Sequence, residues 1–526
     1  MKLRVLWLPG ALLLSANVFA TTWTVTSTAD TAGSCSSSCT LRAAIDSAGA
    51  GDTIQFASGI DGATILLDNF SNAQTGTEFG PSAFFITGGM SLTIDGGAHD
   101  ITIARDPAAP PFRVFDVDAS GSLTLIGLTL RNGLASGGSS HGGGGALGAG
   151  GAIFNQGTLA MENCTLTQNA AQGGSGGAGS PSVTGGAGVG GDAPGASGGG
   201  PNGGAAAAPP RNGGFGGGGG TAQGSNEPGG NGGFGGGGGA GSGTAANVGI
   251  GGFGGFGAGG GSNAYTAGTG GFGGGQSGGN PDNAPVGGGG AGMGGAIFND
   301  AGSVTLTNVT LYKNAATGGN SAYAGLINGA GGNGSGYGGA IFNYAGSLNL
   351  GFVTLSANAT ATGTGGAGGV ADGGAIYSRG DSACGINDSN PCSGGAATLA
   401  LLNSIAARST GALNDIVIDA TNGSSTVDPA SSGNLVMTST GVPTAAIATH
   451  ADPQLGSPSP ATLAPATLPI AQTSPAYNAA ASCTDDTKGT QVNTDERGVS
   501  RPYGASCDIG AYEYDGDYIF ANGFDY

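Results

Sequence analysis

Glycine supplies 119 of the 526 residues, and only 9% are charged, with 13 basic against 32 acidic groups. A chain this acidic repels nucleic acid and anionic lipid, and it is too poor in Lys and Arg to build a phosphate-binding patch. The first twenty residues read as a secretory signal peptide. Lys2 and Arg4 give the positive start, Leu6 to about Leu14 the apolar stretch, and Val18-Phe19-Ala20 the small residues of a cleavage site, so the exported chain is expected to begin near Thr21. The alternative, a membrane anchor, is disfavoured because the apolar run is short and contains Pro9 and Gly10. No later segment is long and apolar enough to span a bilayer as a helix, and without Lys2 and Arg4 the net charge falls to near −21, from 11 basic and 32 acidic groups.

Residues 21–135 read as an N-terminal cap and the first coils of a solenoid. Trp23 and Val25 alternate with Thr, while Leu41, Ala44, Ile45 and Ala48 follow the spacing of a short amphipathic helix that would cover an open apolar end. Strands are expected at Thr53–Phe56, Ser91–Ile94, Ile101–Ala104, Val114–Val117 and Ser122–Leu125. Residues 136–293 form a glycine-rich low-complexity insertion with recurring Phe, as in NGGFGGGGG at 212–220 and 231–239. A flexible, mostly disordered loop is the default reading; the alternative is a packed glycine-rich surface whose phenylalanines make weak intermolecular contacts.

The chain repeats itself. GGAIFNQGTLAMENCTLTQNA at 150–170 returns as GGAIFNDAGSVTLTNVTLYKNA at 294–315 and GGAIFNYAGSLNLGFVTLSANA at 338–359, with a partial copy from Gly373. Each unit holds three short β runs, for example Ala296–Phe298, Val304–Leu306 and Val309–Leu311, the signature of a solenoid coil that buries its apolar face on its neighbours. The expected fold is all-β, a right-handed parallel β-helix with an N-terminal capping helix and a long Gly-rich insertion, the hand following from parallel crossovers in general. Recurrent Asn155, Asn299, Asn343 and Asn169, Asn314, Asn358 admit two readings, as sugar or cation ligands or as turn residues stacked into ladders; turn chemistry alone accounts for them. Coils continue through residues 294–470, with strands at Ala397–Asn403 and Asp415–Ile418 and an irregular Pro-rich stretch at 452–481. A C-terminal cap follows at 471–514 and a tail at 515–526.

Six of the seven cysteines form local pairs that suit loop-closing disulfides in an oxidising compartment: Cys35 with Cys39, Cys384 with Cys392 and Cys483 with Cys507. Cys164 reads as a buried thiol. His99, His141 and His450 are scattered away from these pairs, so neither a metal site nor a cofactor is expected. Arg379-Gly380-Asp381 spells an adhesion tripeptide whose display is open.

Several segments resemble known families. CTLRAAIDSAGAGDTIQF at 39–56 is similar to the CSLREA-type N-terminal motif of secreted bacterial β-helix proteins, with Thr-Leu-Arg-Ala in place of Ser-Leu-Arg-Glu-Ala. The GGAI and FN repeats resemble those of polymorphic outer membrane proteins. Residues 474–513, with SPAYNAAASC, TDERGVSRP and CDIGAYE, resemble the choice-of-anchor Q domain, and the final DYIFANGFDY looks like a short C-terminal sorting tag. The resemblance implies a pectin-lyase-like fold on an outer-membrane or extracellular surface of a Gram-negative-type bacterium. It also marks Asp495, Arg497, Arg501 and Asp508 as matching the family motif; a salt-bridge and turn network capping the last coil is the preferred role. It supplies no translocator, since no series of roughly ten-residue alternating strands is present.

Catalysis on such a fold needs paired carboxylates, or a base with a calcium ion. The repeats put Thr, Asn and Ala outward, and acids are sparse. Arg105, Arg113 and Arg131, near Asp95, Asp106 and Asp116, are the lyase-type candidates, with surface ion pairing as the plainer reading. The expectation is an adhesin-like or structural protein without a catalytic residue, its partners surface glycans or host or neighbouring cell surfaces; the alternative is a polysaccharide lyase or glycoside hydrolase.

Overall fold

A computed structural model describes residues 20–35, 38–70, 79–177, 184–244, 247–263, 266–278, 286–321, 330–381, 395–458, 466–485 and 489–516. The expected signal peptide, the Cys384–Cys392 pair and the tag-like 517–526 lie outside these residues.

One coil shows how the sequence builds the fold. Gly292–Met293 pairs upward, Gly294 turns the chain at φ 65°, and Ile297–Asp300 forms the next strand. Ala301 turns it again, and Ser303–Tyr312 runs as one long strand bent at Asn308 (φ 51°) into two limbs. Lys313 makes the last corner before Ala315–Thr317. The following coil repeats this residue by residue, in parallel register: Gly292 faces Gly336, Ile297 faces Ile341, Ser303 faces Ser347, Thr310 faces Thr354 and Ala315 faces Ala359. The result is a parallel β-helix. Among the described residues its walls are a 16-stranded long sheet, an eight-stranded sheet that includes the Ile-Phe-Asn strands, and two four-stranded sheets.

Apolar residues alternate inward and stack in columns. Ile153, Ile297, Ile341, Ile376 and Ile416 line one wall, and Leu159, Val304, Leu348 and Leu399 face them, all fully buried in one continuous core. The expected helix forms at Leu41–Ser47, capped by the Thr40 side chain accepting from Ala43 N–H, and sets Leu41, Ala44 and Ile45 on the first coil's core. Arg42 braces it through Asp30 at 2.7 Å and the Phe84 ring at 4.8 Å. The early strands match expectation to within a residue, at Thr53–Phe56, Ser91–Asp95, Ile101–Arg105, Arg113–Val117 and Ser122–Ile126.

The recurrent asparagines form two buried ladders. Asn155 Nδ2 donates to Asn299 Oδ1 at 2.7 Å, Asn299 to Asn343 at 2.8 Å, and Asn343 to Ser378 Oγ at 3.1 Å. Asn169 and Asn314 donate to Asn314 and Asn358, each at 3.0 Å. None of the six adopts a positive φ; the left-handed corners fall on Asn163, Gln168, Asn308, Lys313, Phe352 and Ala357 instead. The ladder amides serve the corners from inside by capping carbonyls, as Asn299 does for Gly302 and Asn314 for Leu166.

The glycine-rich insertion departs from expectation. Its described residues are packed, not a loose loop. The N–H groups of Gly229, Gly232, Gly235, Gly238 and Gly241 donate to the carbonyls of Ile250, Phe253, Phe256, Gly259 and Ser262 at 2.8–3.0 Å. Gly251, Gly254, Gly257 and Gly260 likewise donate to Thr266, Thr269, Phe272 and Gly275. The intervening donors turn to other neighbours, Gly230 and Gly233 to Gly220 and Gly217, and Gly237 to Ala187. Donation to one neighbour at every third residue is what a three-residue-per-turn extended helix produces, and such a helix has no internal hydrogen bonds to spend. Here adjacent segments take the place of water.

Close approach demands glycine. A Cβ at Gly144 or Gly238 would overlap the carbonyl oxygen of Gly259 or Gly252. The reversals explain the phenylalanines. Gly214–Gly217, Gly233–Gly236, Gly255–Ala258 and Gly271–Gly274 close four-residue turns, with positive φ at Gly216, Gly235, Gly257 and Gly273 as a type II turn requires. The residue before each is Phe215, Phe234, Phe256 or Phe272. These rings stack on one another at 4.9, 5.1 and 5.6 Å and reach Tyr337 at 5.1 Å. They lie against a second stack on the outer side of the Ile-Phe-Asn sheet, Phe154, Phe298, Phe342 and Tyr377, spaced 5.1, 5.2 and 5.4 Å. Phe215, Phe234, Phe256 and Phe272 therefore pack on the β-helix.

Candidate functional site

The outer side of the long sheet's first limb is the broadest regular surface. Inward Leu and Val leave their neighbours outward, so Ser91, Ser122, Thr158, Ser303, Ser347, Thr398 and Thr426 stand in one column. Thr93, Thr124, Ala160, Thr305, Asn349 and Ala400 stand in the next. Sheet geometry spaces the hydroxyls about 4.8 Å along the stack and roughly 7 Å between columns.

The C-terminal segment crosses the neighbouring ground. It covers the second limb, where Ala511 N–H donates to Thr354 Oγ1 at 2.9 Å. Thr165 and Thr310 donate to the two oxygens of buried Glu496 at 2.7 and 2.5 Å. At the edge of the first limb the short hairpin of Thr484–Asp485 with Thr490–Gln491 stands off the sheet, held by Thr307 Oγ1 donating to Asp485 at 3.0 Å. Between them lies a groove of about 300 Å³. Thr124, Ala160, Glu162 and Thr305 form its floor, and Asp485, Gln491 and Thr494 stand on the opposite wall. Among the described residues its lining holds no Lys, Arg, His or aromatic side chain. Sequence reasoning missed this site, because it joins residues more than 170 positions apart; the repeated Ser-Leu-Thr was its one visible sign.

The C-terminal network is dense. Arg501 pairs with Glu513 at 2.9 Å and lies over the Phe352 ring, and Arg497 pairs with Asp495 at 2.8 Å and lies over Tyr512. Asp508 accepts from Asn478 and Tyr514 N–H at 2.6 Å each. Disulfides join Cys35 to Cys39 and Cys483 to Cys507.

The lyase-type candidates do not converge on one cleft. Arg105 donates to the carbonyls of Asn132, Asp106 and Ala109. Arg113 is buried, donating to Phe79 O, Gly80 O, Ser82 Oγ and Ala149 O, with Asp116 3.6 Å away. Arg131 is exposed at a strand end, while Asp95 and Asp106 accept from local N–H groups of Gly97 and Ala108. The adhesion tripeptide is not displayed: Arg379 is a buried strand residue paired with Asp419, and Asp381 accepts from Tyr344 Oη at 2.6 Å. Cys164 is buried, and burial pushes its thiol up to about 12. Among the described residues no group of three His, Cys, Asp or Glu side chains converges as a metal site, and no helix is long and apolar enough to cross a membrane.

No family model and no curated protein matches the chain. Among solved structures, pectate lyase Pel9A is similar over 94% of this chain and 97% of its own, at 12% identity and a TM-score of 0.23. The strand register given above defines the fold independently of that likeness.

Glu496 makes the seat of the C-terminal segment on the second limb pH-sensitive. Burial raises its carboxyl from 4.5 to about 8, against the Thr310 and Thr165 hydroxyls, which lower it. The folded chain thus holds a proton that the unfolded chain has lost between those values, and stability falls as pH rises through the window, by up to about 1.4 kcal/mol per pH unit. Asp300 and Asp508, raised to about 6 by burial, act in the same sense below pH 6. Glu496→Gln is expected to flatten the decline between pH 6 and 8 in hydrogen-exchange measurements on residues 489–516. An unchanged slope would show that Glu496 does not carry it.

Proposed function

We propose that this chain is an exported, surface-displayed or secreted β-helix that works by adhesion or as a scaffold, without catalysis, on the outer surface of a Gram-negative-type bacterium. The family resemblances at both ends and the two disulfides support export. The observation that carries the contact role is the open column of seven Ser and Thr hydroxyls, flanked by a second column in which Thr alternates with Ala and Asn. Fixed spacing lets a polymer with repeating polar groups engage many weak contacts at once, so affinity accumulates by multivalency rather than in one deep pocket. Commitment of Arg105 and Arg113 to backbone carbonyls supports the non-catalytic side of the reading.

Residues 21–526 are expected to be retained on immobilised polysaccharide without cleaving it, with or without calcium. Cleavage would overturn the reading in favour of a lyase or hydrolase. Neither retention nor cleavage, across acidic and neutral polysaccharides, would remove the glycan partner and leave a scaffold.

A further inference from the structure

Most basic side chains of this chain are committed. Arg42, Arg379, Arg408, Arg497 and Arg501 pair with carboxylates, and Arg105 and Arg113 donate to main-chain carbonyls. Among the described residues Arg131, Arg211 and Lys313 have neither kind of partner. Two of these three share one ridge of the β-helix.

Alternation along the strands builds that ridge. Leu130, Leu166 and Leu311 are buried in the core, so their successors Arg131, Thr167 and Tyr312 point outward, one above another in parallel register. The corner residues come next, and Gln168 and Lys313 both turn at positive φ, 57° and 54°, with exposed side chains. Lys313 Nζ lies over the Tyr312 ring at 4.9 Å, which holds the ammonium on the ridge. Arg131 stands two storeys below Tyr312, so the two cations are about 10 Å apart at a sheet spacing of about 4.8 Å. The Thr167 hydroxyl and the Gln168 amide supply hydrogen-bond donors on the storey between them. Two storeys above Lys313, Arg408 is taken by Asp452 and Leu455 O, which closes the free run.

Charge complementarity names the occupant. Two unpaired cations on a chain of net charge −19 call for anionic groups, and the Arg131 fork suits a carboxylate. The net charge does not forbid such a ligand, since exposed charges beyond a Debye length of about 8 Å are screened at physiological salt. The separation of the two cations is close to the length of one extended, β-linked disaccharide.

We propose that this ridge binds an acidic polysaccharide with one carboxylate per disaccharide, successive carboxylates meeting Arg131 and Lys313 while the sugar between them hydrogen-bonds Thr167 and Gln168. The proposal rests on the glycan-binding reading above and adds a second surface, at the far end of the second limb, for a charged class of glycan.

The test uses residues 21–526 in calorimetry at physiological salt with two β-linked hexamers, one alternating glucuronate with N-acetylglucosamine and one of N-acetylglucosamine alone. The alternating hexamer is expected to bind at least tenfold tighter; equal or weaker binding would overturn the proposal. Arg131→Gln and Lys313→Gln are each expected to weaken it at least threefold, and together at least tenfold, with retention on neutral polysaccharide unchanged. Arg211→Gln removes the same charge from an exposed position in the insertion and is expected to change binding less than twofold. An equal loss in Arg211→Gln would show that binding follows net charge, and no loss in either ridge variant would put the site elsewhere; both outcomes overturn the ridge. Exposure of all three side chains keeps these substitutions compatible with folding. If neither hexamer binds while the chain is still retained on neutral polysaccharide, the ridge fails and the broader adhesive reading stands; loss of retention as well fails both.

Discussion

Gly144→Ala and Gly238→Ala are each expected to lower the opening free energy of the glycine bundle by about 3 kcal/mol, the upper range for an overpacked interior. The added methyl would meet a backbone carbonyl rather than a side chain that can swing away. Nor can either segment withdraw cheaply, since Gly144 N–H is bonded to Gly238 O and Gly238 N–H to Gly259 O. Gly59→Ala, with open space around its Cβ and no positive φ, is expected to stay within about 0.5 kcal/mol. Native-state hydrogen exchange across residues 184–278 reads both outcomes, since it resolves local opening. Tolerance of alanine at Gly144 and Gly238 would mean that this tract is the loose loop its composition announces.

Phe256→Ala is expected to cost about 4 kcal/mol, in the range for a buried phenylalanine truncated to alanine. Its ring sits between Phe234 and Phe272 and packs on Tyr344 at 4.4 Å, so its loss breaks the ring stack and opens the seam to the β-helix together. Limited proteolysis should then cut within 229–263 before the coils are touched. Tyr503→Ala, at an exposed position, is the matched control and is expected to change nothing measurable. Equal protease resistance in Phe256→Ala and the parent would show that the rings do not hold the insertion in place.

The coils were legible because period-two alternation ties each inward Leu, Ile or Val to an outward Thr or Ser, which fixes strand and face together. Their corners were less so. Lys313, Phe352 and Ala357 sit in left-handed conformations that no turn signature announces; Phe352 stacks where Asn308 turns the preceding coil, and Ala357 stacks on Lys313. The insertion was misread for a physical reason: disorder is inferred from a lack of apolar surface to bury, whereas this tract is held largely by main-chain amides, whose pairing composition does not encode. Its sign was positional, a Phe at the same offset before each glycine run. The groove was invisible because its opposite wall arrives from the far end of the chain.

The paired ring stacks have a consequence for assembly. GGAIFN units that are near-copies can dock in the wrong order, since a coil taken from one copy fits the floor left by another almost as well. The stretch between the first and second full copies carries its own aromatic rungs, and these meet Phe342, Tyr344 and Tyr377 at set heights. A coil threaded one storey too high would leave a rung facing empty space. Native register is thus the one in which the insertion's rungs and the rings of the coils are all paired, a match that the near-identical repeats do not supply by themselves.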